Sequence, residues 1–175
     1  RKVKNPNSEA NHAFMLALMA WVFAKRKEWT QLGIEKVLKM SLVSRLGFAN
    51  HDKALTRYDK ILKTAKTPAQ KKAILAKWIR HSITEKKELF FASYREEKNA
   101  LGKLSGKLEP RLRGEILQLW EEFKGNQTPE ARFVNQIYVL EVLLRALQYW
   151  AEDKKFAIEP WWEMAFEFSD SDTNL

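Results

Sequence analysis

There is no cysteine in the 175 residues, so neither a disulfide framework nor a thiolate metal site is available. That absence suits a reducing intracellular compartment, either the cytoplasm or an organelle matrix. Glycine and proline are scarce, at six and five, which leaves little punctuation for a protein of many short strands and tight turns. No run approaches the roughly 20 uninterrupted apolar residues that span a bilayer, so no membrane partner is expected. The opening Arg1-Lys2-Val3-Lys4-Asn5-Pro6 is basic but lacks the apolar centre of a secretory signal. Acidic side chains are missing altogether from Lys60 to Thr84.

What is present describes a globular chain, with 45% hydrophobic and 30% charged residues and enough length for one domain with a sizeable core. The net charge of +9 is unevenly placed. Residues 53–107 hold fifteen lysines and arginines against five acids, while the rest of the chain holds sixteen against seventeen. The basic surplus belongs to one segment.

Helical spacing recurs along the chain. Residues 9–27 place His12, Leu16, Met19 and Phe23 along one face. Gly33 precedes a helix over 34–47 carrying Ile34, Val37, Leu38 and Leu42. Thr67-Pro68 reads as an N-cap with proline in the first turn, opening a helix to about Arg80. Thr84 opens another to Leu101, Pro110 one to Phe123, and Thr128-Pro129-Glu130 one over 129–152. The stripe of that last helix is Phe133, Ile137, Leu140, Leu144 and Leu147. Pro160 begins a short final helix with Trp161 and Trp162. No repeat, linker or hairpin interrupts the series, so the spacing predicts an all-α bundle of six to eight helices.

Three stretches together resemble the HD-domain 5′-deoxynucleotidase family and its hydrolase relatives. The first is Asn5-Pro6-Asn7-Ser8-Glu9-Ala10-Asn11-His12. The second is Val37-Leu38-Lys39-Met40-Ser41-Leu42-Val43-Ser44-Arg45-Leu46-Gly47-Phe48. The third is Leu119-Trp120-Glu121-Glu122-Phe123 followed by Thr128-Pro129-Glu130-Ala131-Arg132-Phe133 and on to Tyr138 and Glu141. Order and spacing agree over most of residues 1–165. The resemblance implies a compact HD-domain helical bundle, a single domain over 1–175 with a basic helical insertion at about 53–107. It also implies a divalent cation held by a histidine, an adjacent His-Asp pair and a distant aspartate, with a glutamate after the pair assisting phosphomonoester hydrolysis. Such donors suit Mn, Co, Fe or Zn, whose bound water becomes a nucleophile near neutral pH. Family members carry a further helix before the first stretch, so a longer parent chain, or another element over that gap, is expected.

Carried over position by position, the match fails where the chemistry would be. His12 stands at the first ligand, Ser44 at the histidine of the pair, Arg45 at its aspartate, and Tyr138 at the distal aspartate. Phe48 replaces the catalytic glutamate. One imidazole does not hold a catalytic ion, and a guanidinium at the centre repels one. The expectation is a catalytically inactive descendant with no catalytic residue, metal or cofactor. Arg45 either sits in the vacated cavity paired with Glu141 or lies at a helix end and snorkels to water. His12, Arg45 and Glu141 would form an anion pocket able to hold a phosphate or nucleotide without hydrolysing it. Tyr138 is expected to fill the space of the ion. His51-Asp52 is a literal His-Asp dipeptide, but it falls seven residues late and reads as a loop pair or an N-cap.

The basic segment has two readings. Lys63, Lys66, Lys71, Lys72, Lys77 and Arg80, with Trp78, Phe90, Phe91 and Tyr94 among the lysines, suit a nucleic-acid or acidic-protein partner. Alternatively, two amphipathic helices turn those aromatics to the core and leave the lysines solvated. For the whole protein, one expectation is a scaffold or interaction module within an RNA-containing assembly. The other is a metal-dependent nucleotide phosphohydrolase, or a non-hydrolysing nucleotide sensor, with donors drawn from His12, His51, Asp52 or Asp59. A homodimer is expected by analogy with related HD domains.

Overall fold

The structure, a computed structural model, describes residues 8–26, 32–48, 64–75, 83–159, 161–162 and 165. Its elements are α1 (Glu9–Ala24), α2 (Ile34–Val43), α3 (Pro68–Leu75), α4 (Ile83–Leu104), α5 (Pro110–Gly125) and α6 (Pro129–Glu152). Single 3-10 turns stand at Leu46–Phe48 and Ser105–Lys107, and no strand occurs among the described residues. The molecule is an all-α bundle, as the spacing predicts. Among the described residues, no helix is long and apolar enough to cross a membrane.

Local chemistry sets the helix starts. The Ser8 hydroxyl accepts from the Asn11 amide at 3.2 Å, and the Thr128 hydroxyl accepts from the Ala131 amide at 3.2 Å. At α3 the Thr67 hydroxyl takes the Gln70 amide while the Gln70 side chain takes the Thr67 amide, both at 3.2 Å. That is a reciprocal capping box, spelled Thr-Pro-Ala-Gln. Helix α5 ends on Asn126, which adopts the left-handed conformation with φ 51°.

Four ends differ from expectation: α4 runs to Leu104 and α5 to Gly125, past the expected Leu101 and Phe123, while two others fall short. Helix α1 stops at Ala24, and α2 stops at Val43 instead of running to 47. The Ser41 hydroxyl donates to the Val37 carbonyl, and the Ser44 hydroxyl donates to the Ser41 carbonyl, each at 2.8 Å. Serines that bond back to the preceding turn compete with the helical ladder, and here the chain tightens into the turn Leu46–Phe48. A Cβ on Gly47 would stand 3.0 Å from the Glu97 Cβ and 3.2 Å from the Glu97 carbonyl oxygen. Glycine therefore lets α4 close onto this turn.

α1 packs on α2 and α6, α2 also meets α5 and α6, and α4 rests on the turn Leu46–Phe48. The core joins Leu16 and Ala20 with Val37 and Met40, Leu101 and Trp120, and Phe133, Val134 and Ile137. Leu42 and Leu144, expected inside, are exposed instead. Phe90 and Phe91 are also exposed, which corrects the amphipathic reading for that pair, while Tyr94 stacks on buried Trp120 at 5.1 Å. Trp161 and Trp162 bond their amides to the Ile158 carbonyl, giving helical backbone near the expected last helix.

Candidate functional site

The positions singled out by the resemblance converge where α1, the end of α2 and the middle of α6 meet. His12 lies on the second turn of α1, Ser44 and Arg45 follow α2, and Tyr138 and Glu141 stand one turn apart on α6. Phe48 closes the 3-10 turn, and its side chain is outside the described residues.

Arg45 is almost fully buried. Its Nη2 pairs with the Glu9 carboxylate, and its Nη1 donates to the Tyr138 hydroxyl at 3.0 Å. The guanidinium carbon also lies 5.3 Å from the centre of the Tyr138 ring. Burial works against the charge on Arg45, but Tyr138 and Glu9 more than offset it and hold the group above its ordinary value. Ser44 is fully buried with its hydroxyl committed to the Ser41 carbonyl.

The expected Arg45–Glu141 pair is corrected. Glu141 is met by His12 Nδ1, at 3.0 Å and 3.2 Å from its two oxygens, and by Arg145 Nη2 at 3.0 Å. The reason lies in the helix: Arg145 is four residues along α6 and falls on the same face as Glu141. Glu9, in the first turn of α1, is the carboxylate that reaches Arg45. The three expected anion-pocket residues therefore divide between two neighbouring contacts, a His12–Glu141 hydrogen bond and an Arg45–Glu9 ion pair. Burial raises the Glu141 carboxyl, yet His12 and Arg145 outweigh it and leave the group below its ordinary value. The snorkelling alternative for Arg45 fails as well, since its head group points inward.

A second buried pair backs the first. The Glu97 carboxylate, fully enclosed, takes Lys124 Nζ at 2.6 Å and the Ser93 hydroxyl. Burial pushes Lys124 down, Glu97 pulls it back up, and Arg45 adds to the lowering, so the net direction is downward. Sequence reasoning missed Glu9, Glu97, Lys124 and Arg145. The spacing of Glu141 and Arg145 was a readable signal for the last of them. The other three become partners through tertiary contact alone.

Whether these groups suit a divalent ion is a question of donors. Where the resemblance places a histidine and two aspartates, the chain offers a committed hydroxyl, a paired guanidinium and a phenol that accepts from it. These do not fit the cation. Among the described residues, no three His, Asp or Glu side chains are placed to hold one. His51, Asp52 and Asp59 lie outside the described residues.

Of the basic residues expected to meet a polyanion, Lys66 is exposed just before α3, and Lys71 and Lys72 are exposed within it. Lys63, Lys77, Trp78 and Arg80 fall outside the described residues.

Residues 84–167 match the HD domain family, a span that includes Tyr138 and Glu141 but not His12, Ser44 or Arg45. The chain is similar to a 5′-deoxynucleotidase of Xenopus laevis, 29% identical over 155 residues, which cover 89% of this chain and 61% of that protein. It is also 26% identical to the human 5′-deoxynucleotidase, over 85% of this chain and 57% of the relative. The Dictyostelium discoideum 5′-deoxynucleotidase is 27% identical, with 84% and 65% covered. The chain thus spans about three fifths of the length of these relatives. In fold it resembles a conserved hypothetical protein from Pyrococcus furiosus, with a TM-score of 0.64 and 19% identity, covering 97% of this chain and 78% of that one.

Proposed function

We propose that this chain, an HD-superfamily, phosphohydrolase-like protein, keeps the helical frame of its relatives without their metal chemistry and acts as a scaffold or interaction module. One observation carries the reading. At the position where the resemblance puts a metal-binding aspartate, a buried Arg45 is fixed by Glu9 and Tyr138. A divalent ion placed beside that guanidinium would meet a cation where the resemblance puts a carboxylate ligand, with the nearby Glu9 carboxylate already engaged by Arg45.

The basic segment supplies the interaction side of the reading. Exposed Lys66, Lys71 and Lys72 belong to a stretch without acids, and such a stretch suits a polyanion, either a nucleic acid or an acidic protein.

A second reading is favoured by the comparisons. The curated relatives are themselves named 5′-deoxynucleotidases, which supports a nucleotide phosphohydrolase, or a nucleotide sensor descended from one. This reading draws its missing donors from His51, Asp52 or Asp59 beside His12 and uses Mn, Co, Fe or Zn. One experiment separates the two. The purified chain is exchanged into Mn or Co, analysed for bound metal, and assayed with deoxynucleoside monophosphates. The first reading expects no stoichiometric metal and no turnover. Turnover that vanishes in His12→Ala overturns it in favour of the second.

A further inference from the structure

Helix α4 presents an unusual solvent face. Lys87, Phe91 and Arg95 recur every fourth residue, so they share one stripe with a rise of about 6 Å between neighbours. All three are exposed, Phe91 to 58%. The ring is braced from behind: Phe91 meets Phe90 edge-on at 5.6 Å, Phe90 meets Tyr94 at 6.0 Å, and Tyr94 meets buried Trp120 at 5.1 Å. An aromatic series thus runs from the core to the surface and ends on Phe91. Long helical side chains lean toward the helix N-terminus, so Arg95 leans over the turn that carries Phe91. Exposed Glu88 stands at the edge of this stripe, and Lys98 is taken up by Glu121 at 2.7 Å. By contrast, the exposed Phe14, Leu18, Trp21 and Val22 of α1 sit in a run from Ala10 to Ala24 that holds no Asp, Glu, Lys or Arg. On α4 the exposed ring is flanked by cations.

We propose that Lys87, Phe91 and Arg95 form a binding strip for single-stranded nucleic acid, in which Phe91 stacks on a base and Lys87 and Arg95 each neutralise a phosphate. A flat apolar ring between two cations matches the alternation of base and phosphate along an unpaired strand. An acidic peptide uses the cations and leaves the ring without a role. The strip rests on the reading that residues 53–107 face a polyanion, and it names the site and the partner.

The test uses the whole chain and a fluorescent oligouridylate, with anisotropy followed across a KCl series. Phe91→Ala is expected to weaken binding roughly tenfold or more with its salt slope unchanged. Phe91→Trp should preserve the affinity, and an unaltered melting temperature should accompany both variants. Reversing Lys87 and Arg95 to Glu should flatten the slope by about 1.4, at about 0.7 for each phosphate contact. If Phe91→Ala binds like the parent while Lys71→Glu with Lys72→Glu abolishes binding, the strip is wrong and the broader polyanion reading stands. Binding to polyglutamate but not to oligouridylate overturns the strip in favour of an acidic protein. No binding to either polymer removes both.

Discussion

At Arg45 the chain carries a fixed charge into its interior and supplies the partners that make this tolerable. A buried guanidinium stripped of its carboxylate is costly, whereas an apolar replacement of the whole pair is often neutral. Glu9→Gln or Arg45→Met alone is therefore expected to lower stability by roughly 2–4 kcal/mol in chemical denaturation. The double variant should recover most of that loss, and strictly additive losses would show that the two groups do not act as a pair. The position of Arg45 was legible, because Leu46-Gly47 and the Val37–Val43 stretch keep their spacing around it. Its partner was not. Glu141 was the nearer guess on paper, but Arg145 one turn along α6 and His12 across from it already engage that carboxylate. Gly47 carries a similar lesson, since its lack of a side chain makes sense only once Glu97 is seen against it.

Among the helices, starts were easier to read than ends. Thr67 and Thr128, each followed by proline, announce a first turn and make their caps, whereas Thr84, expected to open a helix, lies inside α4, which already includes Ile83, and the Ser8 cap of α1 emerges only in the structure. Thr128 also donates to the Glu122 carboxylate, which Lys36 Nζ meets at 2.6 Å, so this cap ties α6 to α5 and α2. Thr128→Ala should lower stability by about 1–2 kcal/mol in a melt or denaturant titration, and Thr128→Ser by much less. Equal losses for both would place the effect in the methyl group and not in the hydroxyl. Ends obey tertiary demands. Helix α2 gives way at Ser44 to a 3-10 turn that seats Gly47 under α4, and periodicity of apolar residues carries no trace of that contact. Helix α4 itself was expected either to bury its aromatics or to offer them to a polyanion. It packs Tyr94 on the core and leaves Phe90 and Phe91 exposed.

For the molecule as a whole, several carboxylates are held ionised by their neighbours, and this sets its response to acid. Glu141 and Glu130 are both buried enough to be pushed up, yet their partners bring each below the ordinary 4.5. A carboxyl depressed in the folded state stabilises the fold above its unfolded value, and that stability is lost as pH falls through the folded one. The melting temperature should therefore hold steady from neutral pH to about pH 5 and fall progressively below pH 4.5. Glu141→Gln should make the acid limb shallower, and an identical limb in the variant would remove Glu141 from the account.

The sequence by itself determined the all-α class, the caps at Thr67 and Thr128, and the confinement of the basic surplus to 53–107. All of these are local, set by residue type, spacing and neighbours a few positions away. Tertiary structure decided which acid answers which base, that Phe91 faces solvent while Tyr94 does not, and where α2 ends. Apart from Glu141 and Arg145, four residues apart on one helix, those outcomes depend on groups far apart in the chain being brought within a few ångströms, and no spacing rule encodes such a meeting.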